Sequence, residues 1–266
     1  MPSNTIQRLE GGRRTHGLAR TTPPLVTIIT VVFRAKDELA AILNNVFEHD
    51  SNDFELIVID ANSKDGTVDL LREWDDKIEY WLSEPDKGIF DAMNKAQAFA
   101  TGHFLYHQNA GDRLLVFPRE ELEAARRANL DVVTFPVSVD GTREFRPSCG
   151  SRLKWKNTLH HQGTFYRRET FLQYDPQYPL LADFDVNQRL LLRGATMKAY
   201  DKVIAWHASG GAGESTQGYR EHCSILRNNF GWPYMALSVT LSEWQGIKAR
   251  RKAALKRWLK RGGDSK

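Results

Sequence analysis

The chain has almost no cysteine. Only Cys149 and Cys223 occur in 266 residues, far apart and with neither CxxC nor His-cluster spacing. That argues against a disulfide framework or a zinc ribbon and makes a reducing cytoplasm the expected setting. No apolar run is long enough to span a bilayer. Residues 1–24 lack an apolar core. Gly, Arg, Thr and the Pro23-Pro24 pair dominate them, so they read as a mobile tail. Arg13-Arg14 has no hydrophobic segment behind it to make a twin-arginine export signal. No internal repeat occurs. At the other end acid is missing: between Trp244 and Arg261 there are eight Lys or Arg and no Asp or Glu. That segment alone carries +8 against a net charge of +4, so the rest is mildly acidic at −4. A basic body wrapped around nucleic acid is therefore not expected.

What is present is a strand-helix alternation. With 41% hydrophobic residues the chain can bury a sizeable core. The β-branched run Leu25 to Phe33, LVTIITVVF, reads as a strand buried on both faces. Leu39, Ile42, Leu43, Val46 and Phe47 line one face of a helix from Lys36 to His49. Strands follow at Phe54 to Ile59 and Ile78 to Leu82, with a helix from Val68 to Trp74 between them. Ile89, Met93, Ala96 and Ala100 fall at helical spacing, and Phe104-Leu105-Tyr106 is the next buried strand. Alternation of this kind predicts an α/β fold, a mostly parallel Rossmann-like sheet with right-handed crossovers. Ligands of such sheets bind beyond the carboxyl ends of the strands. Those ends carry Thr30, Phe33 and Arg34, then Asp60, then Ser83 to Lys87, then Asn109 to Asp112. The second half is less regular. It has a strand near Leu130 to Phe135, a helix from about Asp183 stopped by Gly194, a strand from Val203 to Trp206, and a glycine-rich stretch from His207 to Ser215 that reads as a lid or a connector.

Several of these residues suit chemistry. Asp112, in the turn Asn109-Ala110-Gly111-Asp112, is placed to hold a divalent cation, or else bonds its own turn. His207 could complete that metal site. Asp60 could accept a hydrogen bond from a base or ribose. Asp86, Lys87 and Gly88 open a helix whose N–H groups suit an anion, and Asp91 and Asn94 lie one turn apart on its polar side. In ADFDVNQRL, Asp185 can pair with Arg189 at i+4, which leaves Asp183 free as a general base. Trp244, Ile247, Arg251, Leu255 and Trp258 form one stripe of a basic C-terminal segment (231–266), as expected of a helix on an anionic membrane surface.

The assembled pattern resembles the family 2 glycosyltransferases with the GT-A fold, and within them a bacterial subgroup serving colanic-acid-type and other surface polysaccharides. The resembling part runs from about Leu25 to Asp112, with a weaker echo from His160 to Gly211. It rests on the opening strand, the VID-xx-S-x-DGT segment at Val58 to Thr67, and SEPDKGI-aromatic-DAMNK at Ser83 to Lys95. The resemblance implies a single GT-A domain over 25–230, with a nucleotide-sugar half (25–115) and an acceptor half (116–230). It implies that Asp60 meets the nucleotide base, that Asp112 is the last acid of a metal-binding DxD element, and that Asp183 is the catalytic base of an ED pair. Asn109 stands for the first acid of the DxD element and Ala182 for the Glu of the pair. Thr30, Phe33, Asp86, Lys87, Asp91, Asn94 and Asn109 are the other expected nucleotide-sugar contacts. Mg²⁺ or Mn²⁺ is the expected cofactor, a nucleotide-diphosphate sugar the donor, and a glycan or lipid-linked glycan the acceptor. The expected location is cytoplasmic, peripheral on the inner face of the plasma membrane through the basic tail. Two rival readings are a nucleotidyltransferase, which would usually carry a glycine-rich loop where Phe33 to Asp37 stands, and a degenerate sugar-nucleotide-binding protein.

Overall fold

A computed structural model describes residues 8–49, 52–208 and 215–238. The strands are β1 (Leu9–Gly11), β2 (Val26–Val32), β3 (Phe54–Asp60), β4 (Tyr80–Ser83), β5 (Phe104–His107), β6 (Arg113–Leu114), β7 (Val132–Thr134), β8 (Val137–Val139), β9 (Arg143–Phe145), β10 (Thr164–Arg167), β11 (Met197–Ala199) and β12 (Ala205–His207). The helices are α1 (Lys36–Phe47), α2 (Thr67–Glu73), α3 (Ile89–Phe99), α4 (Arg119–Arg127), α5 (Ala182–Leu192) and α6 (Thr216–Phe230). An eight-stranded sheet runs β1-β4-β3-β2-β5-β10-β7-β11, and a four-stranded sheet runs β6-β12-β8-β9.

The expected parallel core is there. β2 pairs in parallel with β3 on one side and β5 on the other, and β3 pairs in parallel with β4. Every residue of β2 and β3 is buried, which explains why apolar side chains fill both faces of these strands rather than alternating with exposed ones. Alternate side chains feed two cores: Ile28 and Val58 pack with α1 and α2, and Ile29 and Ile57 pack with α3 and α5. The chain leaves β2 for β3 and β4, then returns across the sheet to β5. The order therefore reverses between β2 and β5, and a crevice opens outside their carboxyl ends. β10 then inserts antiparallel between β5 and β7, so the second half of the chain completes the same sheet.

Two local expectations change. Ile89 is exposed at the start of α3, and Phe90 takes the inward position beside Ala92, Met93 and Ala96. Residues 8–24 are not a free tail. β1 pairs antiparallel with β4, and Arg14 reaches the buried acids Glu55 (2.7 Å) and Glu79 (3.3 Å). The reason is electrostatic. Glu55 and Glu79 are about 1–2% exposed and need cations, which the arginine-rich arm supplies. Residues 1–7 and the basic stripe from Trp244 to Trp258 lie outside the described residues, and residues 232–238 are helical.

Candidate active site

Strand register sets two polar groups side by side at the sheet edge: Asp60 of β3 lies between Val32 of β2 and Ser83 of β4. Asp60 is fully buried at the end of β3. Its Oδ2 accepts hydrogen bonds from the Ser63 amide (3.0 Å) and the Ser83 hydroxyl (2.6 Å). Its Oδ1 is buried with no partner among the described residues. A buried carboxylate oxygen left without a donor is costly, so this atom is held ready for a donor from outside the chain. The Ser63 hydroxyl accepts from the Arg34 amide (2.7 Å), and Arg34 takes a left-handed backbone (φ 50°). That turn presents Phe33, 57% exposed, with the Arg34 guanidinium over its ring.

The turn after β5 carries the second group. The Asp112 amide donates to the Asn109 carbonyl (3.0 Å), and the Asn109 amide donates back to Asp112 Oδ2 (3.1 Å). The turn-aspartate role is therefore real, but it does not use up the side chain. Gln162 Nε2 also donates to Oδ2 (2.8 Å), and His207 Nδ1 meets Oδ1 at 2.7 Å. Pairing of β6 with β12 sets Trp206 opposite Arg113, so His207 falls beside Asp112 although 95 residues separate them. Among the described residues the Asn109 side-chain oxygen is buried without a partner, in the turn whose amide holds that carboxylate. Asp112 thus meets both His207 and the Asn109 amide. Among the described residues no three His, Cys, Asp or Glu side chains form a preformed metal cluster. His160 stacks edge-on to His207 at 5.0 Å, and burial lowers His160 to about 4 and His161 to about 3, so both are neutral at physiological pH.

The third group is Asp183, in the first turn of α5. Burial is the main influence on its carboxyl and raises it to about 6, against hydrogen bonds from the Phe184 amide and Asn157 that pull it down. Asn157 Nδ2 donates to Asp183 Oδ2 at 2.9 Å. The neighbouring Asp185 is committed elsewhere, to Arg189 (2.7 Å) and Asn229 (3.1 Å), as the i+4 spacing predicts for the first of these. α5 ends as expected, with Gly194 in the left-handed region (φ 75°) after the last turn. The loop before β10 holds both ends of the site. Asn157 contacts Asp183 and, five residues on, Gln162 contacts Asp112. Five residues span at most about 18 Å, so one short segment reaches both the Asp183 carboxylate and the Asp112 turn.

The remaining expected contacts divide. Asp86 Oδ1 accepts from the Gly88 amide (2.9 Å), and its carboxyl is raised by burial. Asp91 accepts from the Lys87 amide (3.0 Å), so both acids brace the loop that displays Lys87. Asn94 is not available to a ligand in the way expected. Its amide nitrogen donates to the Tyr174 carbonyl (2.9 Å) and its oxygen accepts from the Tyr174 amide (2.8 Å), a clamp between α3 and the second half. Thr30 also differs, because it is fully buried within β2 rather than at the strand end. Sequence reasoning did not single out Gln162 and Asn157. Each acts on an acid 50 and 26 residues away, which no local pattern reports.

Comparison with known proteins agrees with this geometry. Residues 27–198 match the family described as Glycosyl transferase family 2. A "PGL/p-HBAD biosynthesis glycosyltransferase" of Mycobacterium bovis is 30% identical over 193 residues, covering 68% of this chain and 75% of that protein. Among solved structures, S. aureus TarS 1-349 in complex with UDP-GlcNAc superposes with a TM-score of 0.60 at 13% identity, covering 80% of this chain and 66% of that one. The mannosyltransferase PcManGT from Pyrobaculum calidifontis, in complex with GDP-Man and Mn²⁺, gives 0.58 at 18% identity, covering 88% and 81%. These likenesses identify the architecture as GT-A. The chain is a glycosyltransferase and belongs to glycosyl transferase family 2.

Proposed function

We propose that this enzyme transfers a sugar, with inversion, from a nucleotide-diphosphate sugar to a hydroxyl of a glycan or lipid-linked acceptor in bacterial surface polysaccharide or glycolipid synthesis, of which the colanic-acid type is one form. The observation that carries the reading is Asp183. It is a carboxylate that burial raises to about 6, held by Asn157 in the first turn of α5. A general base works best with a pKa near the operating pH. Asp183 takes the proton from the acceptor hydroxyl as its oxygen attacks the anomeric carbon. The bond from that carbon to the diphosphate oxygen breaks, and the nucleoside diphosphate leaves with the bonding electrons. Asp60 Oδ1 accepts a hydrogen bond from the base, Phe33 packs beside it, and Lys87 with the α3 N-terminus faces the diphosphate. The donors in the TarS and PcManGT complexes, UDP-GlcNAc and GDP-Man, support a donor of this class.

The Asp112 turn suits a hard divalent cation, Mg²⁺ or Mn²⁺. Its hard oxygen donors are the Asp112 carboxylate and the unpartnered Asn109 oxygen, with the His207 ring beside them. When bound there, such a cation neutralises charge developing on the leaving diphosphate. With two protein oxygens in place, most of its remaining ligands would come from the donor and water.

Donor binding is tested by Asp60→Asn. The two hydrogen-bond donors on Oδ2 require the new amide to keep its oxygen there, which turns its NH₂ toward the unpartnered position. An acceptor becomes a donor while the fold keeps its bonds. Affinity for the nucleotide sugar is expected to fall by about 10- to 100-fold, the worth of one charge-assisted hydrogen bond. Thermal-shift titration over a panel of nucleotide sugars, with and without Mn²⁺, identifies the donor and reads this change. No stabilisation of the wild type by any of them would sink the reading.

The basic segment after Trp244 is proposed to hold the enzyme at the anionic inner membrane surface, near a lipid-linked acceptor. No helix among the described residues is long and apolar enough to cross a membrane. Flotation with anionic vesicles is expected to recover full-length protein and to leave a chain ending before Trp244 in the dense fraction. Equal recovery of both would refute the role of the tail.

A further inference from the structure

Asp183 is the end of a one-way chain of hydrogen bonds. The Tyr166 hydroxyl donates to Asn187 Oδ1 at 2.8 Å. Asn187 Nδ2 donates to Asn157 Oδ1 at 3.1 Å, and Asn157 Nδ2 donates to Asp183 Oδ2 at 2.9 Å. The polarity of the chain follows from its last member. An ionised carboxylate only accepts, so Asn157 must turn its NH₂ toward Asp183. Its oxygen then faces Asn187, which must offer its own NH₂, and the Asn187 oxygen in turn needs the Tyr166 hydroxyl as donor. Tyr166 and Asn187 are buried, on β10 and α5, so the far end of the chain is anchored in the core. Only Asn157 comes from a loop.

We propose that Asn157, held in orientation by Asn187 and Tyr166, is a positioning residue that aims the Asp183 carboxylate at the acceptor hydroxyl. The inference rests on the reading of Asp183 as the general base. Asn157 touches neither donor nor acceptor in it and acts through the carboxylate alone. Two effects follow from its bond. It locks the carboxylate plane, and it favours the ionised form that has to accept the proton. The other groups that feel the Asp183 charge are the buried phenols of Tyr166 on β10 and Tyr174 in the segment before α5. Burial holds both phenols above their usual range, so neither titrates near pH 6. On its own helix, Asp185 is paired with Arg189.

The experiment compares Asn157→Ala, Asn157→Asp and Tyr166→Phe with Asp183→Asn in the full-length enzyme, reading kcat, acceptor KM and the pH profile of kcat. Asn157→Ala is expected to lower kcat by about 10- to 100-fold with little change in KM, because a base displaced by a fraction of an ångström loses near-attack geometry. The acid limb should move to higher pH. Asn157→Asp keeps the shape and the Asn187 bond but sets a second carboxyl within hydrogen-bond distance of the first. The pair should share a proton, moving the limb up by about one pH unit or more. Tyr166→Phe removes only the outermost bond and should move kcat and the limb the same way by less. Where Asn157→Ala fails to fold, the near-isosteric Asn157→Asp gives the decision. A fall in kcat with an unmoved acid limb, or wild-type kcat in the Asn157 variants beside an inactive Asp183→Asn, overturns the positioning role and leaves the base assignment standing. Substantial turnover by Asp183→Asn overturns the base assignment itself.

Discussion

Asp183→Asn is expected to lower kcat by about 10²- to 10⁴-fold while donor affinity stays close to wild type. The amide has the same shape and can still meet Asn157, but it cannot take a proton. The groups proposed to hold the nucleotide, Asp60 and the Lys87 loop, lie on β3 and before α3 and have no hydrogen bond to Asp183, so the substitution leaves them untouched. The pH dependence has a definite sign. The base works ionised, so wild-type kcat should rise with pH through about 6 and level off above it, following the raised carboxyl. Stability moves the other way. The folded-state value lies above the unfolded value, so between about pH 4 and 6 the native state binds more protons and loses stability as pH rises. The cost is present in full above pH 6. Asp183→Asn should therefore melt higher than wild type at pH 7 and lose that advantage near pH 4. An inactive variant with a raised melting temperature at pH 7 separates a lost base from a broken fold. Turnover near wild type would refute the assignment.

The first half of the fold was legible because its signals are local. β2 and β3 announce themselves through apolar residues on both faces, since both faces of a central parallel strand are covered. Asp60 and Asp112 stand where those strands and β5 end. The Asp185–Arg189 pair, and by elimination the free Asp183, follow from helical spacing alone. The parts that were not legible depend on partners distant in sequence. β7 to β12 are short strands of three or four residues that gain their order from neighbours, with β10 inserted between β5 and β7. Asn94 looked like a ligand contact because its place on the polar side of α3 is visible, whereas its Tyr174 partner is 80 residues away. The N-terminal arm looked free for the same reason: nothing near Arg14 says that buried acids await it.

Those acids support the second large effect, on stability rather than chemistry. Glu55, on β3, lies beside Thr27 of β2 and is about 1% exposed. It accepts from the Thr27 hydroxyl (2.6 Å), the Thr101 amide (2.6 Å) and hydroxyl (2.7 Å), the Gly102 amide (3.2 Å) and the Arg14 guanidinium (2.7 Å). One side chain thus joins β2, β3, the entry to β5 and the N-terminal arm. The join is tight: a Cβ at Gly102 would lie 2.4 Å from the Thr27 backbone nitrogen, so only glycine allows the approach. Glu55→Ala strands several donors at once, and Arg14 keeps only Glu79 and the Phe99 carbonyl among its side-chain bonds. Breaking a buried charge pair this way costs about 3–5 kcal/mol, a large part of a typical domain's stability. For a chain of this size that corresponds to a fall in Tm of roughly 10 °C. Urea unfolding should show a lower midpoint with an unchanged slope, since the same surface is exposed. Arg14→Met should cost less, because the Arg14 side chain is 21% exposed and Glu55 keeps its backbone and threonine donors. The cluster lies at the amino end of β3, opposite the crevice, so kcat measured well below the midpoint should match wild type. A Glu55→Ala variant as stable as wild type would show that the arm and the sheet are held by something else. One stable but slow would mean that strain at this end reaches the Asp112 turn along β5.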